Sequence, residues 1–178
     1  MILIVQNQCI FMKAEEVHKF IATMNARINK IIGQETGGVH FGGHKELLAA
    51  IASIEEFYDL SYAPEAEAIR TEIMHIMINA MLEGKSSEPV IQSLKDKGLN
   101  EKDASKVVWT EEQRIKNLAD WYQYFGAGYK FFSARCSEEP CQKCKEAYES
   151  DKKYPIEHLD MLPPLHSECR CELVFHRK

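Results

Sequence analysis

The chain has 178 residues, of which 45% are hydrophobic and 28% are charged. This length and balance suit a globular protein that can bury a core without disulfide bonds or metal ions to stabilise it. The formal net charge of -5 excludes a general electrostatic attraction to nucleic acid, so any such contact would have to be local.

The N-terminal stretch MILIVQNQCIFMK begins apolar, but polar amides interrupt it and no basic residue precedes the apolar run. This pattern predicts no signal peptide. No window approaches the roughly 18 uninterrupted apolar residues of a membrane span, so we expect no membrane contact. We therefore expect the protein to stay in a reducing compartment, where clustered cysteines bind metal or do chemistry more often than they form disulfides.

Apolar residues recur at three- and four-residue steps through most of the first 125 positions, which is typical of helices with one buried face. Pro64 and Pro89 suit the first turns of two of these helices, and Asn100 suits the cap of the longest. Glycines mark several of the helix ends. The pattern predicts five helices, over 13–32, 47–58, 64–82, 89–98 and 100–125.

The character of the sequence changes after Phe125. YKFFSA, at 129–134, alternates and is aromatic, and CELVFH, at 171–176, is similar, so both are predicted as short strands. Five of the six cysteines lie between positions 136 and 171, that is, from the end of the first predicted strand to the first residue of the second. The expected fold class is therefore mainly α, with a helical body and a small C-terminal α+β module that resembles a zinc knuckle.

The cysteine-rich region carries two pairs with metal-ligand spacing. Cys141 and Cys144 form a CxxC pair, and His166 and Cys169 form an HxxC pair further along the chain. Zinc prefers tetrahedral thiolate and imidazole ligands, and a two-residue gap lets a turn aim both side chains at one ion. The preferred ligand set is these four residues, and Cys171 is a further candidate because residues two apart in an extended segment face the same side. We expect one structural Zn²⁺.

The same cysteines have other interpretations. They could be reduced thiols packed as small hydrophobic side chains, or they could form bridges only on oxidation. Cys136 is a sixth candidate ligand by position, but Cys9 and Cys136 are interpreted as ordinary residues, since lone cysteines are more often buried than used. The polar loop between the two pairs carries three prolines, so the metal is expected to be its main attachment to the helices.

A catalytic interpretation is also open. Zinc-dependent nucleobase deaminases use an HxE motif and a later PCxxC motif, and HKE, His44 to Glu46, and PCQKC, Pro140 to Cys144, match these patterns. Several predicted helices separate the two motifs, and no strands are predicted near His44, which disfavours an enzyme. A small zinc-stabilised nucleic-acid-binding protein is a third possibility, although the aromatic residues from Trp121 to Phe132 are interpreted as core rather than as a base-stacking platform.

The second half of the chain, from Ser87 to Val174, resembles the phage Mu F-like, or SPP1 minor-head-protein-like, head morphogenesis domain. The shared features are a Thr-Glu pair on a helix, a glycine turn, an aromatic strand, a CxxC, a proline-rich approach to a histidine and a Cys-Arg-Cys ending. In chain order these are Thr110, Glu111, Gly126, Gly128, Phe131, Phe132, Cys141, Cys144, Pro163, Pro164, His166, Cys169, Arg170 and Cys171. Two features depart from the pattern: Trp109 stands where the family has an arginine, and the Asp-Gly turn after the CxxC is missing.

The resemblance implies a head-morphogenesis-like domain over 86–178, whose cysteine-rich module spans 129–178. Residues 1–85 show no such resemblance and are predicted as a helical region of unknown type. The resemblance also implies a minor structural protein of a phage or prophage head that acts in head assembly or DNA ejection, and it implies no enzymatic activity. The implied partners are portal or capsid proteins, with nucleic acid a weaker candidate. The implied location is the bacterial cytoplasm during assembly and then the virion head.

Overall fold

A computed structural model describes residues 44–53, 58, 60, 63–84, 87–148 and 152–178, together with 19, 21–23 and 25–26. Of 44–46 it describes the backbone only. These residues form a mainly helical protein with a small C-terminal sheet, as the sequence predicts. Cys9 and most of the expected first helix lie outside the described residues. In the described part of the chain, no helix combines the length and the apolar character that crossing a membrane would require.

The helical body consists of α1 (His44–Ala52), α2 (Pro64–Glu67), α3 (Arg70–Glu83), α4 (Glu88–Asp96) and α5 (Glu101–Gly126). Helix α1 packs against α3 and α5, and α4 also contacts both of these helices. The sequence predicts one uninterrupted helix from Pro64, but the structure breaks it before Arg70, where Ile69 has φ -120° and ψ 25°. A tertiary contact lies at this break: the Nη1 atom of Arg70 donates a 2.7 Å hydrogen bond to the carbonyl of Tyr58.

Helix α5 is the longest element, with 26 residues. The predicted cap is confirmed, since the Oδ1 atom of Asn100 accepts a 2.9 Å hydrogen bond from the backbone amide of Asp103. At about 1.5 Å per residue, α5 is about 39 Å long, so it can support both the helical body and the C-terminal module. Its buried apolar side chains are Ala104, Val107, Val108, Ile115, Leu118, Ala119, Trp121 and Tyr122.

The C-terminal module contains a three-stranded antiparallel sheet. Strand β1 (Phe131–Arg135) is central and pairs with β2 (Tyr154–Pro155) on one side and β3 (Glu172–His176) on the other. The two predicted strands are confirmed, and β2 is an addition too short to leave a pattern in the sequence. A short helix, α6 (Gln142–Ala147), and a 3₁₀ turn (Leu159–Met161) lie in the segment expected to be a loop.

One hydrophobic core runs from α1 into the module. Trp121 and Phe132 are fully buried in it, which confirms their interpretation as core residues. Tyr124 is the exception among the aromatic residues at this junction, because it is exposed while its ring stacks on Phe175 at 4.2 Å between centroids.

Candidate metal centre

The CxxC pair lies at the start of helix α6. Cys141 occupies the N-cap position, and its Sγ accepts a 3.5 Å hydrogen bond from the backbone amide of Cys144. The cap residue and the third helical residue lie on the same side of a first turn, so the local helix start aims both sulfurs in one direction. The spacing of the pair is therefore explained by a helix terminus that the sequence analysis did not predict.

The HxxC pair meets these sulfurs from the other end of the module. The Nε2 atom of His166 lies 3.0 Å from the Sγ of Cys141 and 3.1 Å from the Sγ of Cys144. The Sγ of Cys169 lies 3.6 Å from the Sγ of Cys144. Cys141, Cys144 and His166 of the preferred ligand set thus come together, and Cys169 contacts Cys144, although the contacting residues are 22 to 25 positions apart in the chain.

The imidazole of His166 is oriented as a ligand would be. Its Nδ1 atom lies 2.7 Å from the main-chain carbonyl of Ser167. A carbonyl oxygen only accepts hydrogen bonds, so Nδ1 is the donor in this contact, and Nε2 is the ring nitrogen that faces Cys141 and Cys144 and that a metal would use. A hydrogen bond from the second ring nitrogen to a carbonyl is the usual way in which a protein fixes a metal-binding histidine.

The distances suit a tetrahedral ion after small adjustments. Zn–S bonds of about 2.3 Å and Zn–N bonds of about 2.0–2.1 Å place the ligand atoms of a tetrahedral zinc site about 3.5–3.8 Å apart. The separations of 3.0 and 3.1 Å between His166 and the two CxxC sulfurs need only a few tenths of an ångström of outward movement. Cys169 lies 3.6 Å from Cys144 but outside the group whose ligand atoms are all within 4.8 Å of one another, so it needs a larger movement to join them. Cys141, Cys144 and His166 therefore make a group able to hold a metal ion, and Cys169, which contacts Cys144, is the candidate for a fourth donor.

The two thiols of the CxxC have opposite electrostatic environments. The backbone amide of Cys144, which donates to the cap sulfur, is the main influence that lowers the pKa of Cys141. Burial is the main influence that raises the pKa of Cys144, and the neighbouring Cys169 raises it further. A bound cation would compensate for the burial of the Cys144 thiolate, because an adjacent positive charge favours the ionised form.

The prediction of Cys171 as a candidate ligand is wrong for this structure, because Cys171 forms a disulfide bond with Cys136. The sheet register explains this pair: Arg135 lies opposite Glu172 in an antiparallel ladder, so the residue after Arg135 and the residue before Glu172, which are Cys136 and Cys171, come opposite each other. Cys136, interpreted from the sequence as an ordinary residue, is thus a paired one. The antiparallel pairing of the two predicted strands was the signal that could have revealed the bond.

Three side chains on one face of helix α5 hold the HxxC pair and the segment that precedes it. The hydroxyl of Thr110 accepts a hydrogen bond from the backbone amide of Glu168, at 3.1 Å. About two turns further along, the Nδ2 atom of Asn117 donates to the carbonyl of Pro163 at 2.8 Å. About three turns from Thr110, the Nε1 atom of Trp121 donates to the carbonyl of Ile156 at 2.6 Å.

These contacts correct the expectation that a metal ion is the main attachment of this segment. Tyr148, Tyr154, Ile156 and Leu162 are all buried in the common core. Burial of apolar side chains and the hydrogen bonds to α5 stabilise the segment independently of any ion. The sequence appeared too polar for this because its apolar residues are few and irregularly spaced.

A cavity of about 510 Å³ borders the ligand cluster. Its wall contains the sulfur-bearing residues of both the CxxC and the disulfide, and three acidic residues besides. The acidic residues are Glu138, Glu139 and Glu168. Small molecules or water can thus approach the cluster from one side.

The deaminase interpretation stays a prediction. His44 begins α1, which packs within the helical body, and the side chains of His44 and Glu46 are outside the description. Within the described residues, the groups able to hold a metal ion involve only the cysteines and His166 of the module.

Membership of a known family stays a proposal from the sequence pattern. No family model, curated protein or solved structure matches the chain.

Proposed function

We propose that this protein is a minor structural component of a tailed-phage or prophage head, whose C-terminal module is stabilised by one zinc ion and contacts other head proteins. The resemblance in the order CxxC, then HxxCRC, supports the phage assignment. The observation that carries the zinc site is the approach of the His166 Nε2 atom to the sulfurs of Cys141 and Cys144, at 3.0 and 3.1 Å.

The ligand chemistry supports a structural role for the ion. Three thiolates and one imidazole would supply all four positions of a tetrahedral site, which is the composition of structural rather than catalytic zinc. Cys144 and Cys169 are buried, so the ion would be tied into the core of the module. Its binding free energy would then add to the stability of the folded protein.

Contact with other proteins is a better proposal than duplex binding. The net charge of -5 gives no general attraction to phosphate, and long-range attraction by DNA depends on basic surface. The proposed partners are portal or capsid proteins, and the proposed location is the bacterial cytoplasm during assembly and then the head.

Elemental analysis of the chain, purified without chelator and with the disulfide intact, tests the zinc site. We expect about one equivalent of zinc, because the four proposed ligands would complete a single tetrahedral site. His166→Gln should lose it, whereas His75→Gln, which alters an exposed residue of α3, should retain it. Absence of zinc from the folded parent protein would contradict the site.

Mass spectrometry of purified particles tests the phage assignment. Particles should be collected after induction of the strain that carries the gene, and heads separated from tails. We expect the chain in the head fraction at low copy number. Its absence from heads, while the major capsid protein is readily detected, would contradict the assignment.

The cavity beside the cluster favours one second candidate, a zinc-dependent hydrolase. Glu168 and two further acidic residues line that cavity, and a carboxylate near zinc can act as a general base on bound water. X-ray absorption at the zinc edge separates the two functions. A first shell of three sulfurs and one nitrogen supports the structural role, and an oxygen ligand in place of one sulfur supports the hydrolase.

A further inference from the structure

Cys144 belongs to two groups of possible ligands. Its Sγ lies beside His166 and Cys141 in the proposed zinc site, and it also lies within 4.8 Å of both sulfurs of the Cys136–Cys171 disulfide. A tetrahedral site with Zn–S bonds of about 2.3 Å requires sulfur separations of about 3.8 Å, which is within this range. The disulfide therefore occupies two corners of a second three-sulfur site.

We infer that reduction of the Cys136–Cys171 bond creates a second metal site, formed by Cys136, Cys144 and Cys171, for a thiophilic cation such as zinc or cadmium. Cys144 would bridge the two ions. A thiolate sulfur has more than one lone pair and can be shared between cations. This inference rests on the proposed zinc site, because Cys144 is the shared ligand.

The surroundings of the three sulfurs fit this role. Cys144 and Cys171 are buried, and Cys136 is half-buried, so the sulfurs would be held in place rather than presented on mobile side chains. All three residues line the cavity of about 510 Å³, from which a cation can enter. Water, or one of the cavity's carboxylates, can supply the remaining position of a tetrahedral ion.

The chemistry balances with an ordinary dithiol as reductant. The dithiol gives two electrons and two protons to the Cys136–Cys171 bond and becomes a disulfide itself. Cys136 and Cys171 are then thiols, and each loses its proton to solvent when the cation binds. A disulfide oxidant, which takes the two electrons and is itself reduced to two thiols, would close the bond again and release the second ion.

Cadmium titration of the full chain in two redox states tests the inference. One sample keeps the disulfide, and the other is reduced with a dithiol that is then removed without oxygen. We expect about one equivalent of cadmium in the oxidised sample and about two in the reduced one. Cys136→Ser should bind about one equivalent under reducing conditions, because its second site lacks a sulfur.

A reduced parent protein that binds only one equivalent would overturn the inference, as would a Cys136→Ser variant that still binds two. If the protein bound no cadmium before reduction and two equivalents after it, the first site could not form without the second. That result would contradict an independent zinc site and would support two ions that share Cys144. A count of zero in both states would reject both proposals.

A second measurement does not depend on the folding of a variant. In the reduced parent protein, the rate at which N-ethylmaleimide modifies Cys136 is followed by peptide mass spectrometry. The first equivalent of cadmium should leave this rate nearly unchanged, and the second should slow it at least tenfold, because metal-bound thiolates react poorly. Protection by the first equivalent, or by neither, would overturn the inference.

Discussion

The indole Nε1 atom of Trp121 donates a 2.6 Å hydrogen bond to the main-chain carbonyl of Ile156. Both residues are fully buried, and 35 positions separate them in the chain. The contact joins the C-terminal half of helix α5 to the turn that follows β2. It therefore links the helical body to the segment between the two ligand pairs.

Trp121→Phe should lower the free energy of unfolding by about 1–3 kcal/mol, because it leaves the carbonyl of Ile156 without its donor and shortens a core side chain. The matched control is Trp109→Phe, which changes a half-buried residue of the same helix and should cost less than about 1 kcal/mol. Urea unfolding measures both. Equal effects of the two substitutions would contradict the importance of this contact.

Thr110→Val should weaken both stability and zinc binding. The Thr110 hydroxyl accepts from the backbone amide of Glu168, which has a left-handed conformation with φ 61° between the two ligands of the HxxC pair. Valine has a similar shape but no acceptor, so we expect a loss of about 1–3 kcal/mol in unfolding free energy. Zinc affinity should fall about tenfold or more, because the turn that orients the ligands loses its support.

Thr71→Val is the control for this change, since Thr71 is exposed on α3. We expect its unfolding free energy to stay within about 0.5 kcal/mol of the parent value, with unchanged zinc affinity. Competition with a chromophoric chelator measures the affinity. A Thr110→Val variant that binds zinc as tightly as Thr71→Val would disprove the supporting role of the hydroxyl.

The free thiols should differ in reactivity when the metal is removed. Cys141 is exposed and its pKa is lowered, so a larger share is thiolate at neutral pH; Cys144 is buried and its pKa is raised. Iodoacetamide should therefore modify Cys141 first, since the thiolate is the nucleophile. Peptide mass spectrometry gives the order, and faster modification of Cys144 would contradict the geometry. Zinc should slow the reaction at Cys141.

Stability should fall in alkaline solution. Burial, and secondarily the Glu111 carboxylate, raises the pKa of Tyr58 above its usual value of 10.0. The unfolded chain releases this phenolic proton near pH 10 while the folded chain retains it, so the stabilisation is complete below pH 10 and decreases above it. This one group should contribute a slope of up to about 1.4 kcal/mol per pH unit.

Tyr58→Phe removes the titrating group and should make the alkaline slope shallower, although it also loses the hydrogen bond from the hydroxyl to the carbonyl of Ala52. Tyr148→Phe should have a similar effect, because burial is also the largest influence that raises the pKa of Tyr148. Urea unfolding from pH 9 to 11 measures the slopes. An unchanged slope in both variants would argue against buried neutral phenols.

Much of the helical body was predictable because its elements are long and periodic. Helix α5 buries residues at three- and four-residue steps, and Asn100 fixes its start by a local hydrogen bond. The break before Arg70 was not predictable, because Arg70 bonds to Tyr58, a residue that lies 12 positions earlier and whose position only the tertiary fold determines. Strand β2 has two residues, which is too few for an alternating pattern.

For the candidate metal centre, the spacing of CxxC and HxxC pointed to Cys141, Cys144 and His166, which form one group, and to Cys169, which contacts Cys144. Spacing could not show that Cys136 pairs with Cys171, because that pair depends on the register between β1 and β3. It also could not show that Thr110, on a helix far upstream, supports the turn at Glu168. Ligand spacing can be recognised in a short stretch of sequence, whereas the residues that contact a turn depend on the tertiary fold.

Helix α5 has a practical consequence for dissecting the molecule. The sequence changes character near Gly128, which makes this position attractive for preparing the helical part alone. A fragment that stopped there would leave Asn117 and Trp121 facing water without the carbonyls that they bind. Such a fragment should aggregate or bind hydrophobic dyes, because it exposes apolar side chains that the C-terminal module covers in the intact protein. We therefore expect that the change in composition is not a boundary between independently folding units.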